Sequence, residues 1–207
     1  MVIRFNLIVL LCFLWAYVFF RSLLCFISSK SFNFKNEGIN LGLYMSIVAV
    51  VAMTLFPIRL DLPFSKFEIF NLIPLKVPIS TYLTRGLMYF LYQNVGNLLL
   101  FMPFGFFACA KTNCNIKKVV FASLALTLFI EFTQGFIPYR FCEIDDVWLN
   151  TLGGFLGSYV YIKFINYIRN LKKMTNLSRA IEHKYKFCYQ SYSKALKVST
   201  TYICILR

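Results

Sequence analysis

The sequence predicts an all-α fold, a polytopic membrane helix bundle with about five transmembrane helices. Hydrophobic residues make up 59% of the 207 positions and charged residues 14%, against roughly 45–50% and about 25% in soluble proteins. A core of this size cannot hide so many apolar side chains, 24 of them Phe. The apolar residues also gather into long runs separated by short basic gaps. These observations indicate a chain that has lipid as a second solvent.

Each predicted helix corresponds to one apolar run, and a spanning helix needs roughly 20 such residues, with a range of about 17–25. The five runs cover residues 5–27, 41–56, 86–110, 119–137 and 147–168. Pro103 and Gly105 lie inside the third run, and we expect them to kink that helix.

Two hydrophilic segments complete the organisation of the chain. Residues 57–85 contain Pro57, Pro63, Pro74 and Pro78, and this composition predicts a loop lying on, or dipping into, the outer membrane face. Residues 169–207 are basic and interleaved with aromatic residues, which is typical of a tail attracted to anionic lipid. We therefore predict a transmembrane bundle over residues 1–168 and a basic cytoplasmic tail over residues 169–207.

The distribution of basic residues predicts the orientation. With the carboxy terminus in the cytoplasm, 14 of the 22 Lys and Arg residues lie on the cytoplasmic side and six on the other. Cytoplasmic loops carry the excess of positive charge. We therefore expect a multi-pass protein of the cell membrane, with its amino terminus outside and its carboxy terminus inside.

Polar residues inside the apolar runs are the candidates for function, because an ionisable group in a spanning helix is costly. In the predicted topology they meet near the outer surface, where the third run starts, the fourth ends and the fifth begins. We call the following residues the acid–amide cluster: Asn97, Glu131, Gln134, Arg140, Glu143, Asp145, Asp146 and Asn150. We expect Arg140 to pair with Glu131, with the carboxyl groups of residues 143, 145 and 146 competing for the same guanidinium.

Other polar and small residues have simpler explanations. Asn94 is expected to hydrogen-bond a neighbouring helix, as buried amides in membranes commonly do. Gly153, Gly154 and Gly157 predict close packing between helices. With no CxxC pair and His183 as the single histidine, we expect no metal and no cofactor. The scattered basic residues do not form a nucleic-acid-binding surface, so no nucleic-acid partner is expected.

Four segments of the chain resemble motifs of VanZ-like membrane proteins. Residues 97–105 resemble N-x-x-L-F-x-P-x-G, residues 131–134 resemble E-x-x-Q, and residues 71–75 are similar to N-x-I-P-F. Residues 140–154 resemble R-x-x-D-I-D-D-x-x-x-N-T-x-G, with Glu143 where the pattern usually has Asp. The resemblance covers about residues 41–168, and the order of four motifs makes it specific.

The resemblance implies a Gram-positive cell-envelope protein connected with resistance to glycopeptide antibiotics of the teicoplanin type. Two hypotheses for the cluster follow. In the first, an outward-facing pocket binds a membrane lipid, a lipid-linked wall precursor or the glycopeptide, with Asn97, Gln134, Arg140, Glu143 and Asn150 as ligand-binding residues. Arg140 would contact a phosphate or carboxylate.

In the second hypothesis the protein is a membrane enzyme that modifies a lipid-linked or acylated envelope substrate. Glu131 would be the acid/base, because a carboxyl group shielded from water can exchange protons near neutral pH. Asp145 and Asp146 would be the other catalytic residues, one or the other of them binding a divalent cation or polarising water. The sequence offers no activated nucleophile, since Cys142 has no histidine nearby, so binding is the first hypothesis and the enzyme is the alternative.

Overall fold

The structure is a computed structural model that describes residues 2–28, 33–59, 70–137 and 142–205. These residues form five α-helices and four two-residue β-strands. The helices are α1 (Leu7–Ser28), α2 (Phe34–Leu55), α3 (Lys76–Lys111), α4 (Ile116–Gln134) and α5 (Ile144–Ile205). The strands are β1 (Val2–Ile3), β2 (Ile58–Arg59), β3 (Phe70–Asn71) and β4 (Cys142–Glu143). The all-α prediction is confirmed.

Two of these helices are long and apolar enough to cross a membrane, namely α2 and α3, while α1 contains a shorter apolar stretch, Ile8–Leu24. Helix α2 begins seven residues before the predicted run. The side-chain carbonyl of Asn33 explains this early start, because it accepts hydrogen bonds from the backbone N–H groups of Lys35 (3.1 Å) and Asn36 (3.3 Å).

Helix α3 corrects the prediction for residues 57–85, because residues 76–85 are helical rather than loop. Pro78 is the third residue of α3, and in the first turn of a helix the missing N–H of proline breaks no intrahelical hydrogen bond. Residues 60–69 of the predicted loop lie outside the described residues.

The break in α3 also lies elsewhere than predicted. Gly86 has φ +82° and ψ 176°, and it is the one residue of this fully described helix with non-helical angles. Pro103 and Gly105 therefore do not interrupt it. Glycine accepts a positive φ without steric cost, so Gly86 separates a short helical segment, residues 76–85, from the longer segment that follows.

The core is built from α2, α3 and α4. Its buried apolar side chains are Val50, Phe101, Phe104, Ala108, Cys109, Val119 and Ile130. The end of α4 lies beside the end of α2, since the side-chain N–H of Gln134 donates to the carbonyl of Thr54 (2.9 Å). Lys111 at the end of α3 donates to Asn40 near the start of α2 (2.6 Å). Helices α2 and α4 thus run antiparallel to α3.

The chain divides into two compact units, residues 1–162 and residues 163–207. The second unit consists of the continuation of α5, which runs helically as far as Ile205. The acid–amide cluster belongs entirely to the first unit.

Candidate functional site

Glycines allow three helices to approach closely beneath the cluster. A Cβ atom added to Gly105 or Gly157 on the α3–α5 contact would overlap backbone atoms of Gly154 or Met102. A Cβ on Gly153 would likewise meet the carbonyl of Leu98, and one on Gly154 would meet the hydroxyl of Ser123 in α4. The predicted packing role of the α5 glycines agrees with these contacts, and Gly105 is a packing residue as well.

Glu131 lies at the centre of the cluster and is 3% exposed. Its Oε2 accepts a hydrogen bond from the backbone N–H of Glu143 (2.9 Å), and the Cys142 thiol lies beside this carboxyl group. The expected partner, Arg140, lies outside the described residues. Strand β4 therefore contacts the carboxyl group of Glu131 near the end of α4.

The same strand brings a second motif to the site. Strands β3 and β4 pair in parallel, with Phe70 opposite Cys142 and Asn71 opposite Glu143. The segment that resembles N-x-I-P-F thus begins beside residues 143–146, which we call the acidic turn. More than 60 residues separate the two segments in sequence. Sequence reasoning placed this segment on the outer face and did not connect it with the cluster.

Asp145 is 1% exposed and joins the start of α3 to the first turns of α5. Its Oδ1 accepts hydrogen bonds from the backbone N–H of Leu75 (2.9 Å) and the indole N–H of Trp148 (3.1 Å). Leu75 has φ +62°, a left-handed conformation that is strained for a leucine. The hydrogen bond to Asp145 supports this backbone conformation at the start of α3.

Asp146 and Asn97 connect α5 with α3. The side-chain N–H of Asn97 donates to Oδ1 of Asp146 at 2.5 Å. The structure therefore brings the two residues together as the predicted topology required. Asn94, one turn earlier, donates to the carbonyl of Phe90 in its own helix (2.8 Å), whereas we expected a bond to a neighbouring helix.

Asn150 is 2% exposed and tied to α4, because its side-chain N–H donates to the hydroxyl of Thr127 (3.0 Å). Thr127 is a member of the site that sequence reasoning missed. The available signal was its spacing, four residues before Glu131 on the same face of α4. Leu75 gave no comparable signal, since its contribution is a backbone N–H that meets a carboxylate 70 positions away. Trp148 lies three residues after Asp145 in α5, and this spacing was the available signal for it.

Several buried polar atoms of the site have no hydrogen-bond partner in the described part of the chain. They are Asn71 Nδ2, Gln134 Oε1, Asp145 Oδ2 and Asn150 Oδ1. Leaving a buried polar group unsatisfied costs about 1–3 kcal/mol, and folded proteins hold few such groups. Four unpartnered atoms around one cluster indicate that the stability of the fold alone does not explain why these polar side chains are buried here.

The electrostatics of the turn differ from those of an exposed acidic loop. Burial, followed by the charges of Asp146 and Asp145, raises the pKa of Glu143 from 4.5 to about 7. Burial and the neighbouring carboxyl group of Glu131 raise the pKa of the Cys142 thiol to about 11. Cys142 is therefore a neutral thiol at physiological pH and a poor nucleophile. Among the described residues, no group of three or more His, Cys, Asp or Glu side chains is arranged to hold a metal ion.

A family model described as VanZ/LLP1 matches residues 5–167. The chain belongs to the VanZ family. The VanZ match begins before residue 41, where the motif resemblance started, so it includes α1 as well as the helices that form the cluster. No curated protein and no solved structure is significantly similar to the chain. The protein is thus a VanZ-like membrane protein.

Proposed function

We propose that this VanZ-like protein acts in the cell membrane of a Gram-positive bacterium and binds the polar part of a membrane lipid or lipid-linked wall precursor in its acid–amide cluster. This binding would contribute to tolerance of glycopeptides such as teicoplanin. The observation that carries the proposal is the convergence of Asn97, Glu131 and Asn150 from three helices on one buried, incompletely hydrogen-bonded site.

The unpartnered atoms support binding because they are mainly acceptors. Asp145, Gln134 and Asn150 each keep one oxygen without a partner among the described residues, and each is less than one-tenth exposed. A ligand that donates hydrogen bonds would satisfy them and recover the free energy lost on burial. We further propose that Arg140, which precedes Glu143 in sequence and lies outside the described residues, contacts a phosphate or carboxylate of that ligand.

The orientation is part of the proposal. The excess of basic residues in the other loops and the tail favours a cluster that faces the outside. Wall precursors are exposed and glycopeptides arrive on that side of the membrane, so an outward-facing cluster could meet either.

A direct test uses two carboxylates at opposite ends of the bundle. Teicoplanin tolerance is measured in a susceptible Gram-positive host that expresses the unmodified protein, Glu131→Gln or the matched control Glu37→Gln at equal levels. We expect Glu131→Gln to lose the tolerance and Glu37→Gln to keep it. Full tolerance in Glu131→Gln, in Arg140→Ala and in Asp146→Asn would contradict the proposal.

The alternative is a membrane enzyme with Glu131 as acid/base and Asp145 and Asp146 as further catalytic residues. The near-neutral pKa of Glu143 favours proton transfer at this site, while the raised pKa of Cys142 argues against covalent catalysis. Analysis of membrane lipids and wall precursors in the same strains separates the two. A modified lipid or precursor that disappears in Glu131→Gln would favour the enzyme, and unmodified chemistry with altered teicoplanin binding would favour the binding protein.

A further inference from the structure

An apolar groove of about 430 Å³ lies beside the acid–amide cluster. The break at Gly86 creates it, because the helical segment before the break packs back along the segment after it. Tyr82 and Phe90, one from each segment, meet in an edge-to-face contact with ring centroids 6.1 Å apart. The groove has the volume typical of small-molecule sites.

The lining of the groove is almost entirely hydrocarbon and open to the surroundings. Helix α3 contributes Ile79, Leu83 and Phe90, and α5 contributes Trp148 and Leu149. Leu83 is 74% exposed and Ile79 55%. Open apolar surface on a membrane protein faces acyl chains rather than water, so hydrocarbon is the natural occupant.

One end of the groove touches the cluster through shared residues. Leu75 and Trp148 both line the groove, and both donate to the same oxygen of Asp145. The second oxygen of Asp145 is buried and has no partner in the described part of the chain. The groove and the carboxyl group of Asp145 are therefore connected through two residues that contact both, which is the neighbourhood of apolar and acidic groups that an amphiphile requires.

The charge of the described cluster selects the headgroup. The carboxyl groups of the cluster form no ion pair with any basic side chain that the structure describes. The hydrogen-bond donors to Glu131, Asp145 and Asp146 are N–H groups. A primary ammonium supplies three N–H donors and one positive charge, and it complements carboxylates better than a hydroxyl or an anionic headgroup does.

We propose that the groove binds an acyl chain of a membrane phospholipid with a primary-amine headgroup, and that Asp145 and the adjacent carboxylates hold the ammonium. This inference rests on the proposed function and names the class of lipid that the cluster takes. It assigns the chain to the groove between the two segments of α3 and the amine to the acidic turn.

The test uses the full chain in lipid nanodiscs with two photoreactive probes. One is phosphatidylethanolamine with a diazirine on its acyl chain, and the other is phosphatidylglycerol with the same chain. We expect the amine lipid to label groove residues such as Tyr82 and Leu83 about tenfold more than the glycerol lipid does, because one charge-assisted contact distinguishes them. Leu83→Trp, which fills the groove, should abolish this labelling, while Leu128→Trp on exposed α4 surface should not.

Asp145→Asn completes the test, since it keeps an acceptor oxygen for Leu75 and Trp148 but removes the charge. We expect acyl labelling to persist and the preference for the amine lipid to disappear. Equal labelling by both probes in the unmodified protein, or labelling spread evenly over the exposed face of α4, overturns the inference. If both lipid probes label the unmodified protein equally but Glu131→Gln loses teicoplanin tolerance, the proposed lipid class is rejected and the proposed function stands. If the amine lipid labels the protein selectively but Glu131→Gln keeps full tolerance, the proposed function is rejected.

Discussion

The two ends of the first unit treat their polar side chains differently. At the end formed by the start of α2 and the end of α3, Glu37 pairs with the guanidinium of Arg21 and Lys111 donates to Asn40. At the cluster end, four carboxyl groups have no described basic partner, and Asp145 Oδ2 is both buried and unpartnered. The difference concerns charge, because the first end also holds one buried hydroxyl group, that of Tyr17, without a described partner. The carboxyl groups of the first end are paired with a described basic side chain and those of the cluster end are not, which is why we propose the cluster end for binding.

The glycine contacts beneath the cluster give the largest expected effect on stability. In Gly105→Ala the new Cβ would overlap the backbone of Gly154, which cannot rotate away as a side chain could. Overpacking of this kind costs about 1–3 kcal/mol, so we expect a clear fall in the melting temperature in detergent. Gly96→Ala is the matched control, because its Cβ meets nothing within 4 Å and alanine favours helix by up to about 1 kcal/mol. Equal melting temperatures for the two variants would show that the contact is not tight.

The pKa of Glu143 predicts a pH dependence confined to the cluster end. Its folded value of about 7 lies above its ordinary 4.5, so the folded state holds the proton more tightly than the unfolded state does. Its contribution to stability is complete below pH 4.5 and is lost as the pH rises through 7. Each pKa unit corresponds to about 1.4 kcal/mol, and solvent screening reduces the total to roughly 1–2 kcal/mol.

We therefore expect the melting temperature of the unmodified protein to decrease between pH 5 and 8, and Glu143→Gln to flatten this decrease. Thermal unfolding of both proteins at several pH values measures the slopes. Parallel slopes would exclude Glu143 as the titrating group.

The ion pair at the opposite end predicts the smallest effect. Arg21 and Glu37 lie near the surface of the described part of the chain, and ion pairs in such positions are weak because water screens them. In a double-mutant cycle of Arg21→Gln and Glu37→Gln, we expect a small favourable coupling energy and no change in teicoplanin tolerance. A cycle that closes with zero coupling would mean that the pair does not hold α1 against α2.

Much of the fold follows from the sequence because a membrane helix must be apolar along its length. The five runs predicted five helices, and the starts and ends of the runs placed Asn97, Glu131 and Asn150 at one level. Helices that begin with polar residues were harder to predict. Residues 34–40 contain Glu37 and residues 76–85 contain Pro78, so hydropathy and proline signals both argued against helix there.

The details of the site depend on contacts that no local pattern encodes. The pairing of β3 with β4 involves two residues on each side, which is too short for a detectable alternation. The hydrogen bond from Leu75 to Asp145 spans 70 positions and uses a backbone N–H, which every residue except proline possesses. The motif resemblance indicated which segments matter, and tertiary structure alone shows that they meet.

The most direct test of the account asks which end of the bundle faces the outside. Phe136, beside the cluster, and Asn113, in the turn between α3 and α4, are both exposed, and each can be replaced by cysteine in a chain whose seven native cysteines have been removed. Intact cells are treated with a membrane-impermeant maleimide. We expect labelling of Phe136→Cys and none of Asn113→Cys until the cells are opened. Labelling of Asn113→Cys alone would place the cluster on the cytoplasmic side and contradict the account.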